Sequence, residues 1–316
     1  MHLTPDQAND KDLIRYFAGQ AFHFPITSVE RLNGEMAYNY EVNHRYILKL
    51  PSDKTNPDDW LRQGQYMRVL QDKLSYQIPQ PVITTVYDKD SKTPFISSSY
   101  EKIKGYCIPN TFLFAQKNNY FKIRFFEQLA QAVHQIHSVA PDKLPFELPT
   151  KQEILEKYFF ARQKSQPTYY QKKMFKKLVH NSVLGLGKSA EKTSILTHSD
   201  LHCGNVVLND NNKLVGLLDF DTLGRGDYFW EFRPLLYYDP SDTRLFQKIY
   251  TRHTGIQIDP CDTERIHQFK STLQWLAILY RLSNTLTPKK EKQFLKQEIK
   301  KRKRLQNVLN TKTGQR

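Results

Sequence analysis

HSDLHCGNVVL at residues 198–208 and LLDFD at residues 217–221 decide how this 316-residue chain is read. Asp200 and Asn205 share one loop, flanked by the apolar runs ILT (195–197) and VVL (206–208). A polar stretch, Asn209-Asp210-Asn211-Asn212, then leads into the apolar run at 214–218. Turn chemistry between two short apolar runs predicts a hairpin. Closing that hairpin brings Asp200, Asn205 and Asp219 to one end. A carboxylate and an amide oxygen suit a hard octahedral ion such as Mg²⁺, which already carries phosphate oxygens and water. A second carboxylate beside them can take the proton of an incoming hydroxyl and aim it at a γ-phosphate. The pattern predicts Asp200 as the catalytic carboxylate and Asn205 and Asp219 as metal ligands. The plainer reading of the two aspartates is as loop carboxylates that cap neighbouring turns.

The pair of segments resembles the H-x-D-x-x-x-x-N and IDF signature of the aminoglycoside phosphotransferase and choline kinase superfamily. That resemblance implies an α+β, protein-kinase-like two-lobed fold, with an antiparallel sheet N-lobe and a mainly helical C-lobe. It also implies Mg²⁺ as cofactor, ATP or GTP as phosphoryl donor and a small-molecule hydroxyl as acceptor. In the superfamily's frequent loop form, DLHPGN, a proline stands where this chain has Cys203. The change loosens the loop without removing a ligand. His198 is expected to support the loop from below. A carboxylate is expected to brace the loop from the following helix, with Glu231 the first candidate and Asp227 the second.

The N-terminal half agrees with a kinase small lobe. An amphipathic helix is predicted at 8–19, with Leu13, Ile14, Phe17 and Ala18 on one side. Strand texture follows in ITSVERL, YNYEV and YILKL, with joints at Asn33-Gly34-Glu35 and Asn43-His44-Arg45. A helix after Pro57 and strands at about 81–87 and 95–101 complete the lobe. Such a lobe needs a cation on its third strand to hold phosphates, and Lys49 occupies that place. Protein-kinase logic puts a glutamate on the next helix to orient this lysine, but the position holds Gln63. Glu35 and Asp59 are the alternative partners. NYEVNHRYILKLP, EKIKG at 101–105 and LAQAVHQIHS at 129–138 resemble the aminoglycoside 2″-phosphotransferase branch in particular. There the hinge backbone meets the nucleobase, a role that carries over to Glu101 and Ile103. The lobes are expected at residues 1–104 and 105–316. In the second, helices are predicted at 120–138, within 151–182, and at 228–238, 242–253 and 262–284.

Composition sets the outer bounds. Hydrophobic residues make up 39% and aromatics 13%, enough for a packed core and too much for a disordered chain. No apolar run nears the roughly 20 residues that span a bilayer. The polar N-terminus does not read as a secretory signal, and three cysteines without a C-x-x-C pair argue against a disulfide or zinc framework. A reducing cytoplasm is the expected location. Of the net charge of +15, residues 288–316 contribute +9, from eleven Lys/Arg less two Glu. The run KKRKR at 300–304 could attract nucleic acid or anionic lipid. A solvated helix is the preferred reading, since no nucleic-acid module accompanies the charge.

The acceptor is the least determined feature. A polycationic aminoglycoside calls for carboxylates, and Asp227, Glu231, Asp239 and Asp242 lie near the motif in sequence. Choline, thiamine or another small amino-alcohol calls for an aromatic cage, which Trp230, Phe232, Tyr237, Tyr238, Trp275 and Tyr280 could form. Ordinary core packing is the preferred reading for each of these aromatics. An aminoglycoside-like acceptor is the leading expectation. The alternatives are a choline, thiamine or sugar kinase, or a catalytically impaired nucleotide-binding relative.

Overall fold

The computed structural model describes residues 2–32, 37–53, 55–144, 147–150, 195–226, 228–232, 234–235 and 238–257, with scattered positions between 153 and 175 and between 287 and 297. Contacts divide the chain into one unit of Met1–Leu148 with Ile195–Gln257 and another of Pro149–Ser194 with Ile258–Arg316. The expected lobe boundary at 104/105 falls within the first unit. The helices expected within 151–182 and at 262–284, and the basic run 300–304, lie outside the described residues.

The first unit begins with helix α1 (Lys11–Phe22), shifted from the expected 8–19. The cause is Asp10, whose Oδ1 accepts from the amides of Asp12 and Leu13 and sets the start, while residues 7–9 form a separate 3₁₀ turn. Five strands follow: β1 (Val29–Leu32), β2 (Ala37–Val42), β3 (Tyr46–Pro51), and, after helix α2 (Pro57–Gln71), β4 (Val82–Tyr87) and β5 (Pro94–Glu101). They form one antiparallel sheet in the order β1-β2-β3-β5-β4. Asn43 and His44 both adopt positive φ, 50° and 53°, and Arg45 N bonds Val42 O, so β2 and β3 meet in a type I′ turn that matches strand twist.

Alternation along the strands decides what each face does. Tyr40, Val42, Leu48 and Leu50 join Ile14, Phe17, Ala18 and Ala21 of α1 in one buried cluster, with Phe17 edge-on to Phe95 at 4.9 Å. Each fully buried apolar side chain here contributes roughly 1.5–3 kcal/mol. With Leu48 and Leu50 turned to α1, Lys49 must project from the opposite face.

Helices α3 (Thr111–Ala115) and α4 (Asn119–Ser138) come next, and two short two-stranded ladders organise the motif region behind them. Strand β6 (Ile195–Thr197) pairs with β9 (Gly224–Gly226), and β7 (Val206–Leu208) pairs with β8 (Leu214–Leu217), both antiparallel. The expected hairpin at the motif is therefore present. Asn209 closes it, its Oδ1 accepting from the amides of Asn211 and Lys213. Helix α5 (Tyr228–Phe232) is shorter than the expected 228–238, and Pro234 has no amide hydrogen with which to extend it. Helix α6 (Pro240–Thr254) is capped by Asp239 and packs along α4. No helix among the described residues is long and apolar enough to cross a membrane.

The hairpin is also stitched to the sheet region. Gln77 bonds both Val215 O and Leu217 N on β8, and Tyr106 exchanges two 2.8 Å backbone bonds with Leu208 on β7. Two glycines permit this approach. A Cβ on Gly216 would stand 2.9 Å from Ile103, and one on Gly105, at φ +142°, would stand 2.3 Å from Leu208 O.

Candidate active site

Backbone amides and carbonyls take a large part in holding the loop 198–205, beside the side chains of His198 and Asn205. Glu231, on α5 and 3% exposed, accepts from the amides of His198 at 2.7 Å and Ser199 at 3.3 Å. His198 is fully buried, lies edge-on to Phe220 at 4.4 Å and places Nε2 3.0 Å from Leu218 O. Thr222 Oγ1 donates to His198 O at 2.6 Å. Behind Glu231 stands His137 of α4, with Nε2 3.4 Å from Glu231 Oε2 and Nδ1 2.8 Å from the Tyr250 hydroxyl. The expectations for Glu231 and His198 as supports match this geometry, whereas Asp227 lies outside the described residues. His137 and Tyr250 were not foreseen, because neither is near the motif in sequence.

Asn205 and Asp219 are brought together by the ladder. Leu218 N bonds Asn205 O at 2.9 Å, so the residue after Leu218 emerges beside Asn205. Asn205 Nδ2 donates to Asp200 O at 2.8 Å and stands 3.4 Å from Asp200 Oδ2. That leaves Oδ1 as the atom it can offer a cation. Asp219 sits in the left-handed region at φ 59°, and Ser199, just before Asp200, does so at φ 68°. Non-glycine residues held there cost about 1–3 kcal/mol each, a cost the surrounding buried bonds offset.

Charge is concentrated at this end of the hairpin. Burial, then the neighbouring Asp221 and Asp200 carboxylates, push Asp219 up to about 7 against the pull of Lys49. Burial alone would lower Lys49, but Asp221, Tyr100 and Asp219 outweigh it and hold the ammonium above its ordinary value. A divalent cation fits such a place: it would meet an amide oxygen and a carboxylate that neighbouring negative charge disfavours. Lys49, between Asn39 and Ser98 in the sheet register, thus faces the same charge cluster as Asp219. Gln63 does not act alone: its Nε2 donates to Asp221 Oδ1. Asp59 is paired with Arg62, and Glu35 lies outside the described residues.

At the end of β5 the register exposes backbone. Lys102 N bonds Arg45 O, so Glu101, opposite Tyr46, occupies the non-hydrogen-bonded position and turns its amide and carbonyl away from β3. Strand β4 has already ended, its pairing stopping at Ser99. The Glu101 side chain is engaged with Arg45 at 3.1 Å, which leaves the main chain as what it presents there. Ile103 is 7% exposed and lies against Gly216.

A sequence model of the phosphotransferase enzyme family (APH) matches residues 28–269, well over half of the chain. The chain belongs to the phosphotransferase enzyme family. By membership it is an enzyme of phosphoryl transfer, of the small-molecule kinase class. Its fold is similar to that of an aminoglycoside 2′-phosphotransferase-IIIa mutant in complex with GDP, at TM-score 0.66 and 18% identity over 95% of this chain and 100% of that one. It is also similar to ADP-bound aminoglycoside phosphotransferase APH(2″)-Ib, at TM-score 0.60 and 19% identity over 89% and 95% of the two chains. A macrolide 2′-phosphotransferase from Brachybacterium faecium, as apoenzyme, gives TM-score 0.55 and 14% identity over 92% and 97%. These likenesses establish the two-lobed kinase-like α+β fold.

In this phosphotransferase the acids near the motif are largely committed elsewhere. Asp242 forms a buried ion pair with Lys122 at 3.0 Å, Asp239 caps α6, and Glu231 braces the loop. Two of the candidate cage aromatics are core residues. Phe232 packs on Phe246 and Tyr250, and Tyr238 packs on Phe114 and Phe126. Tyr237, Trp275 and Tyr280, and the side chain of Trp230, lie outside the described residues. Cys203 is fully buried and burial pushes its thiol up, so it is an inert packing residue of the phosphotransferase loop.

Proposed function

We propose that this phosphotransferase moves the γ-phosphoryl group of ATP or GTP, with Mg²⁺, to a hydroxyl of a small molecule, and that the acceptor is aminoglycoside-like. The observation that carries the reading is the convergence of Asp200, Asn205 and Asp219 at one end of the β7–β8 hairpin, with Lys49 acting on the Asp219 carboxylate. In this reading Asp200 orients the acceptor hydroxyl and takes its proton. Asn205 Oδ1 and the Asp219 carboxylate would hold the metal, and Lys49 would neutralise phosphate charge. Mg²⁺, when bound, supplies charge stabilisation to the phosphate oxygens as the transferring group departs. The backbone of Glu101 and Ile103 would meet the nucleobase. Catalysis then rests on positioning and electrostatics more than on covalent work by the protein.

The donor class is supported by family and by relatives solved with GDP, ADP and ATP. The acceptor class is supported by fold-sharing enzymes solved with kanamycin, gentamicin and streptomycin. Against a polycation, the described acids near the motif, Glu231, Asp239 and Asp242, are engaged in other contacts. An antibiotic-resistance role follows only if the acceptor is an antibiotic. The test is nucleotide consumption with ATP and with GTP, with and without Mg²⁺, against aminoglycosides, macrolides, choline, thiamine and simple sugars. Stimulation by an aminoglycoside, lost in Asp200→Asn, is the expected result. Stimulation by choline or thiamine alone would overturn the acceptor class, and failure to bind any nucleotide would overturn the donor site.

A further inference from the structure

Position 63, on the helix that should orient Lys49, is where this chain departs from the protein-kinase pattern, and the departure has a partner. Helix α2 presents an amide, Gln63, where that pattern has a glutamate. The amide reaches across 158 positions of sequence to donate to Asp221 Oδ1. Asp221 lies in the 3₁₀ turn Phe220–Thr222, two residues after Asp219. It is also the foremost of the negative charges that act on Lys49.

These facts explain one another. An ionised glutamate at position 63 would face Asp221 with acceptors only, adding a further carboxylate to a cluster where Asp219 is already crowded by Asp221 and Asp200. An amide brings the donor that Asp221 can use, and so docks α2 against the turn without adding charge. We infer that Asp221 is the positioning residue for Lys49, in place of a helix glutamate, and that Gln63 ties α2 to it, so that nucleotide binding senses the Asp221–Gln63 pair. The inference rests on the reading of Lys49 as the phosphate-binding lysine.

A carboxylate–amide exchange tests it in the full-length protein. The readout is the dissociation constant for Mg–ATP and Mg–GTP, by calorimetry, beside the unfolding midpoint of the free protein. Asp221→Asn is expected to weaken nucleotide binding about tenfold or more, the scale of a lost charge-assisted hydrogen bond. Gln63→Glu is expected to weaken it similarly by like-charge crowding. The double variant Gln63→Glu/Asp221→Asn should recover to within about threefold of wild type, since it again offers Lys49 one carboxylate and that carboxylate one amide donor.

A double variant no better than the worse single, or an Asp221→Asn protein that binds normally, would overturn the inference. So would full recovery of Asp221→Asn at raised Mg²⁺, which would make Asp221 a metal ligand. If Asp221→Asn does not fold, Gln63→Glu is compared with Gln63→Leu, which removes the tether without adding charge. Equal losses in those two would count against the charge argument. Wild-type protein that binds neither nucleotide would sink the phosphotransferase site itself, whereas normal wild-type binding with unaffected variants would sink only this inference.

Discussion

The two sides of the candidate site are built differently. The loop carrying Asp200 is fixed through main-chain groups: His198 and Ser199 give their amides to buried Glu231, and His198 O takes the Thr222 hydroxyl. The side carrying Lys49 is organised by side chains and charge: a lysine, two aspartates and Gln63, drawn from β3, α2 and the turn after β8. A backbone frame sets where a proton-accepting carboxylate points, and its bonds are costly to leave unmade when buried. A charge cluster sets how strongly phosphate is held and tolerates rearrangement of long side chains. Damage to the backbone frame beneath Asp200 should therefore show in turnover and folding together, and damage to the charge cluster mainly in nucleotide affinity.

Asp200→Asn should have the largest effect. Turnover should fall about 10²–10⁴-fold, the range of general-base contributions, with the unfolding midpoint and nucleotide affinity near wild type. Retention of a tenth or more of kcat would remove Asp200 from the chemistry. Glu231→Ala comes next, because it strands two buried amides. Urea unfolding should show a loss of about 2–4 kcal/mol, with kcat falling alongside. A variant with normal stability and poor turnover would break the contrast, since the brace would then be electrostatic and not architectural.

Lys49→Met sharpens the other side. KM for the nucleotide should rise about 10–100-fold on loss of a charge-assisted contact, while the unfolding midpoint barely moves. A large fall in midpoint would show that the charge cluster is as structural as the loop. Gly216→Ala tests the seam between the two regions. Its Cβ would press on Ile103 at 2.9 Å and Gln77 O at 3.0 Å, so about 1–3 kcal/mol of stability should go, with weaker nucleotide binding as Ile103 is displaced. Tyr250→Phe should be the mildest, about 1 kcal/mol in urea unfolding from one hydrogen bond to His137, with kcat within a few fold. A kcat loss exceeding that of Glu231→Ala would put the Tyr250–His137 pair in the chemistry instead of behind it.

Much of this was legible in the chain because the signals are local. Asn209 to Asn212 closes its own hairpin, Asn43 and His44 form their own turn, and the apolar spacing of α4 gives its buried face without outside help. Boundaries read less well where a cap or a proline overrides periodicity. Asp10 moved α1 three residues along, and α5 stops before Pro234.

Sequence alone thus determined the motif hairpin through local spacing, the two-lobed class through resemblance to a family, and Asp200, Asn205, Asp219 and Lys49 as the candidate site residues. Tertiary structure alone decided the partners: Glu231 with the loop amides, His137 with Tyr250, Gln77 and Tyr106 on the hairpin edges, and Asp221 with Gln63. The physical reason is range. A turn or a strand alternation is settled within a few residues, but a buried hydrogen bond pairs whichever donor and acceptor the packed core brings together. Nothing in the spacing of a chain marks a glutamine at 63 as the partner of an aspartate at 221.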